Sequence, residues 1–166
     1  MTFATTFYIP GNRSLATVDH VEYTYTTGMT DEEVDERVRE AEFGVLSLAR
    51  EGEAYAIPVA FHSGDGRVLL RLGADEDSEK MEFLETTDRA TLLLYEAPRE
   101  DESWSVLLRG PIERLSREER AAITDADINE WFPPFRVFGE SIDEIEYELF
   151  ELDPDTVTGR RTVGSE

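Results

Sequence analysis

Cysteine is absent from the 166 residues, so no disulfide staples the chain and no thiolate can hold a metal. Histidine occurs only as His20 and His62, too few for a zinc or non-haem iron constellation. No apolar run approaches the ~20 residues that cross a bilayer; "ATLLLY" at 90–95 is typical of the longest stretches. The amino terminus has no basic segment leading into an apolar one, so the expectation is a soluble, cytoplasmic protein without a membrane partner. Lysine is scarcer still: Lys80 stands alone against fifteen arginines.

Acid is in excess. Asp and Glu number 38 against 16 Lys and Arg, a net charge of −22, while 40% of the residues are hydrophobic. The acids are interleaved with apolar positions rather than gathered in a tail, which describes an acidic skin over a core and not a disordered chain. Such a charge repels polyanions, so nucleic acid is excluded as a partner. Acid excess with little lysine resembles halophilic proteins. At ~1 M salt the Debye length is only ~3 Å and surface repulsion is screened, so the fold should weaken on dilution into low salt.

No repeat, low-complexity block or Pro/Gly/Ser linker divides the chain, so a single domain over 1–166 is expected, with a core at about 40–152 and an N-terminal extension at 1–29. That extension holds two β-rich stretches, "TFYIP" and "VEYTYTT". "TDEEVDERVREAEFG" reads as a helix, with Thr30 and Glu33 at capping-box spacing and an apolar stripe of Val34, Val38 and Ala41. From residue 43 the pattern turns to strands, "FGVLSLAR", "AYAIPVAF" and "RVLLRLG", joined by the turns "EGE" and "HSGDG". A short helix at 78–86, the strands "RATLLLYEA" and "SWSVLLRGPIERL", and a helix from Ser116 through "NEWF" come next. "IEYELFEL" is expected to be the last strand. Six strands in hairpin order, several apolar on both faces, predict a mainly β fold: a small antiparallel barrel with peripheral helices.

The segment "RLGADEDSEKMEFLE" is the candidate site. In the preceding strand Val68, Leu70 and Leu72 share one face, which turns Arg71 to the other. Ser78 and Lys80 then open a helix. A strand ending in arginine, followed by a helix start with a hydroxyl and an ammonium, can cradle a phosphate. Local spacing equally allows a plainer arrangement, in which Ser78 only caps and Lys80 pairs with Glu76 or Glu79. Where every other basic position is arginine, the surviving lysine marks a place that suits a compact point charge. Pro58 interrupts a ladder and favours an edge or bulge. Trp104 reads as core or interface and His62 as a turn residue.

Across residues 40–115 the chain resembles the FMN-binding split barrels related to pyridoxamine 5′-phosphate oxidase. The resemblance rests on "GVLSLAREGEAYAIPVAFHSGDGRVLLRLG", "DSEKMEFLE" and "SWSVLLRGPIERL" in that order. It implies a six-stranded antiparallel split β-barrel and a homodimer with FMN as cofactor. It further implies that Lys80, Ser78 and Arg71 hold the FMN phosphate and that Pro58, Val59 and Ala60, with Phe61 behind them, run along the flavin ring. Ser105 and Val106 would approach the flavin from the later strand, across a dimer interface. The implied activity is oxidoreduction of a small-molecule substrate; a deazaflavin-dependent reductase and a non-catalytic flavin- or haem-binding protein are the alternatives. After "RGPIERL" the chain departs from the vitamin B6 oxidases, with an acidic helix and "WFPPFRVFGE" in place of their C-terminal arginine and tryptophan signature.

Overall fold

Two acid–glycine pairs set the meander. Glu51 and Gly52 take φ of 50° and 88°, and Asp65 and Gly66 take 53° and 77°. Left-handed φ at both central residues is the two-residue hairpin turn whose twist matches the flanking strands. The computed structural model, which describes residues 24–74, 78–99, 101–134 and 146–163, shows these turns joining β2 (Phe43–Arg50), β3 (Glu53–Gly64) and β4 (Arg67–Gly73). β1 is the short strand Thr26–Gly28 before them. The expected strand "TFYIP" and the acids Asp75, Glu76 and Asp77 lie outside the described residues.

β5 (Arg89–Arg99) pairs with β2 and with β6 (Glu102–Arg114), while β7 (Tyr147–Leu152) pairs with β4 on one side and the end of β6 on the other. The order β6-β5-β2-β3-β4-β7 therefore returns to β6, a closed antiparallel ring made of the six expected strands. β8 (Thr156–Thr162) was not anticipated; "TVTGRRT" has β-branched residues, but its arginines and glycine mask an alternating pattern. It lies along the first half of β6, from Trp104 to Arg109, and β7 takes the second half, from Ile112 to Arg114. The ring is split at this exchange, and Gly110 sits between the two halves. The Asp153 N–H donates to the Pro111 carbonyl and the Asp155 N–H to the Arg109 carbonyl, each at 3.0 Å, so the β7–β8 connection crosses Gly110 at backbone distance.

Inside the ring, Leu46, Leu70, Leu92, Val106 and Leu152 are fully buried at 0% exposure. Helix α1 (Asp31–Glu40) has the anticipated capping box, with Thr30 and Glu33 bonded reciprocally, and buries Val34 against this core. α2 (Glu79–Thr86) contributes Phe83 and Leu84 to the same core. A second cluster forms outside the ring, where Leu69 and Leu149 meet Leu115, Ile128 and Phe132. The single helix expected after Ser116 is two, α3 (Arg117–Ala121) and α4 (Asp125–Trp131). Thr124 and Asp127 form a further capping box, after those at Thr30 and Ser116, that starts the second helix. No helix among the described residues is long and apolar enough to span a membrane.

Candidate functional site

β3 pairs with β4 only from Ala60 to Gly64, so among the described residues its first half has an unpaired edge on that side. The Phe61 N–H donates to the Glu42 carbonyl at 3.0 Å, toward β2; by alternation Pro58 and Ala60 turn the other way. Pro58 thus falls where its missing N–H leaves no orphan donor, and its carbonyl faces the open edge. A cleft of about 280 Å³ lies there, walled by Pro58, Val59, Ala60 and Phe43 and reached by Arg71 and Lys80.

Of the residues singled out from the sequence, Pro58, Val59, Ala60, Arg71 and Lys80 share this cleft. Arg71 and Lys80 arrive from different elements, the end of β4 and the first turn of α2. Ser78 is the N-cap residue of α2, yet its side chain makes no capping bond, so the hydroxyl is not committed to the helix. Phe61 is 1% exposed and Val106 0%, so their side chains fill the ring interior and do not face the cleft. Ser105 pairs with Tyr95 and Arg160 in the β5–β6–β8 ladder and is not among the residues lining the cleft.

Proline residues 133 and 134, which the sequence offers only as a helix stop, also line the cleft. Arg71 Nη2 donates to the Pro133 carbonyl at 2.6 Å, and its guanidinium carbon lies 5.1 Å from the Phe132 ring centroid. Burial pushes the Arg71 guanidinium below its ordinary pKa, against an opposing effect from Tyr147. A partly desolvated cation is stabilised by an anion placed beside it, and the nearby Lys80 ammonium adds to that attraction. Among the described residues lining the cleft, Arg71 and Lys80 alone are ionisable. The arrangement can bind a phosphate and lay a flat apolar body along Phe43 and Pro58.

His62 is not a turn residue. β3 continues to Gly64, and the imidazole stacks on Trp131 at 5.0 Å and 8°. Burial lowers its pKa from 6.5, while the Asp65 and Glu130 carboxylates oppose that shift. The folded state thus prefers the neutral ring, and the unfolded chain binds more protons as pH falls below 6.5. Stability should drop through that range toward the folded pKa, and His62→Gln should flatten the drop in thermal unfolding between pH 7 and 5.

A closed antiparallel ring split at β6, with a cation-ended cleft at one strand edge, defines a small mainly β barrel. The chain belongs to the pyridoxamine 5′-phosphate oxidase family, whose profile matches residues 30–161. A Corynebacterium glutamicum structure named for pyridoxamine 5′-phosphate oxidase shares the fold at TM-score 0.61 and 20% identity, over 85% of this chain and 96% of that one. An FAD-binding protein from Mesorhizobium loti matches at TM-score 0.60 and 16% identity, over 85% and 99%. A haem-binding protein from Mycobacterium smegmatis matches at TM-score 0.53 and 21% identity, covering 81% of this chain and 53% of its own. No curated protein matches the chain in sequence.

Proposed function

We propose that this protein binds FMN non-covalently in the Pro58–Lys80 cleft and acts as a cytoplasmic flavin-dependent oxidoreductase on a small molecule other than a vitamin B6 vitamer. The observation that supports the reading most is the convergence of Arg71 and Lys80, from separate elements, at one end of an apolar cleft edged by Pro58, Val59 and Ala60. Flavin supplies the redox chemistry when bound; the chain's residues neutralise the phosphate, offer main-chain polar groups to the ring and exclude water from one face. The family and an FAD-binding relative favour a flavin.

The working unit in this reading is a homodimer. The outer sheet face carries an apolar groove of about 640 Å³ beside Phe43, Val45, Pro58, Leu93 and Tyr95. Phe43 and Tyr95 are 47% and 60% exposed there, the kind of patch that marks an interface. Phe43 and Pro58 line both this groove and the cleft, so a second copy packed on the face would complete the flavin site. Ser105 would then act from the partner's sheet, and Val106, whose side chain is buried in the ring, through its main chain only.

A second reading is a flavin- or haem-binding protein without turnover, favoured by the haem-binding relative. Purification in molar salt followed by a visible spectrum and sedimentation tests both. The expected result is a flavin absorbance with FMN released on denaturation, on a species of twice the 18.9 kDa chain mass. A deazaflavin or Soret band, or a colourless protein that fails to quench added FMN fluorescence, overturns the FMN assignment.

A further inference from the structure

Positive charge is scarce on a chain of net charge −22, yet Arg114, Arg117 and Arg120 line one cavity of about 420 Å³ between α3 and β7. It is distinct from the flavin cleft: no residue lines both. Two of the guanidinium groups are held in place. Arg120 donates to the Ile123 carbonyl at 3.0 Å and to the Tyr147 hydroxyl at 2.9 Å, and lies over the Tyr147 ring at 5.4 Å. Arg114 pairs with Glu148 at 2.6 Å and sits 5.5 Å from the Phe150 ring centroid. Arg117 is exposed and makes no ion pair or hydrogen bond among the described residues. Glu148 offsets one of the three charges, so among the described lining residues two positive charges remain unmatched.

The floor is different in character. Leu115 and Leu149, 8% and 2% exposed, form its apolar base. Fixed guanidinium groups fit the planar oxygens of a carboxylate or phosphate, because parallel N–H donors meet them without reordering the side chain. A greasy floor beneath such a rim selects for an apolar body attached to the anion. Inorganic phosphate alone would leave the floor wet, and a neutral aromatic would leave Arg117 and Arg120 without a carboxylate or phosphate beside them.

We propose that the Arg114–Arg117–Arg120 cavity is a second binding site, for a small organic anion bearing a carboxylate or phosphate on an aromatic or short aliphatic body. It does not depend on the flavin reading. Calorimetric titration of the whole protein with phenyl phosphate, benzoate, inorganic phosphate and benzyl alcohol, in the lowest salt that keeps it folded, tests the site. The expected result is saturable binding of phenyl phosphate or benzoate, whichever oxyanion the site prefers, at least ~10-fold tighter than inorganic phosphate or benzyl alcohol. Arg117→Gln, on an exposed side chain that packs nothing, should weaken that binding by ~10-fold, and Arg120→Gln by more. Lys80→Gln should leave it unchanged. Absence of saturable binding by both aromatic anions, affinity indifferent to Arg117→Gln, or affinity lost in Lys80→Gln would each overturn the proposal.

Discussion

Lys80→Ala should weaken FMN binding about ten- to hundredfold while leaving the fold intact, the effect of losing a charge-assisted hydrogen bond worth ~1.5–3 kcal/mol. The ammonium stands in the first turn of α2 and reaches the cleft that Arg71 enters from β4. In the proposed site, removing it would deprive the FMN phosphate of one of two cations, and Arg71 would not compensate because its guanidinium is already held by the Pro133 carbonyl. Lys80→Arg should recover part of the affinity, since charge is restored in a broader head that fits the phosphate differently. Fluorescence quenching of FMN titrated with each variant reads the difference. A titration curve identical to that of the unaltered protein would remove Lys80 from the site, and with it the central support for a phosphate there.

Gly110→Ala should destabilise the protein by ~3 kcal/mol or more, at or beyond the upper end of typical overpacking, and lower the melting temperature by ~10 °C. An added methyl group would overlap the Asp153 carbonyl oxygen and come within 2.6 Å of its carbon and 2.8 Å of Pro154 Cα. These are backbone atoms. No rotamer change relieves the overlap, and the two hydrogen bonds that tie the β7–β8 connection to Arg109 and Pro111 must stretch. Gly28 provides the control: a methyl group there meets nothing within 4 Å, so Gly28→Ala should be close to neutral. Thermal unfolding of the two variants side by side checks the contrast. Equal melting points would mean that the strand exchange at β6 yields easily and does not fix the ring.

Local chemistry explains which features were legible beforehand. The capping box at Thr30, the helix start at Ser116, the two acid–glycine turns and the six ring strands each depend on residues a few positions apart, so spacing alone carries them. The pairing of Arg71 with Lys80 was also legible, because a strand end and the following helix start are neighbours in sequence. The ring's closure was predicted as an architecture, but not the device that allows it. Gly110 looks like any glycine in a strand until the β7–β8 connection, more than forty residues later, is laid across it.

Long-range proximity decided the rest. The place of Pro133 at the Arg71 guanidinium, the stacking of His62 on Trp131, and the cavity that gathers Arg120 and Tyr147 all join residues that chain order keeps far apart. No period or motif connects them. By itself the sequence determined an acidic, cysteine-free, mainly β chain with one retained lysine at a helix start, since charge, hairpin turns and caps are properties of short segments. Only the tertiary structure decided that this lysine and Arg71 share their cleft with Pro58 and Pro133 and that three arginines share another, because side chains meet there through closure of the strand ring and the packing of α3 and α4 on its outside.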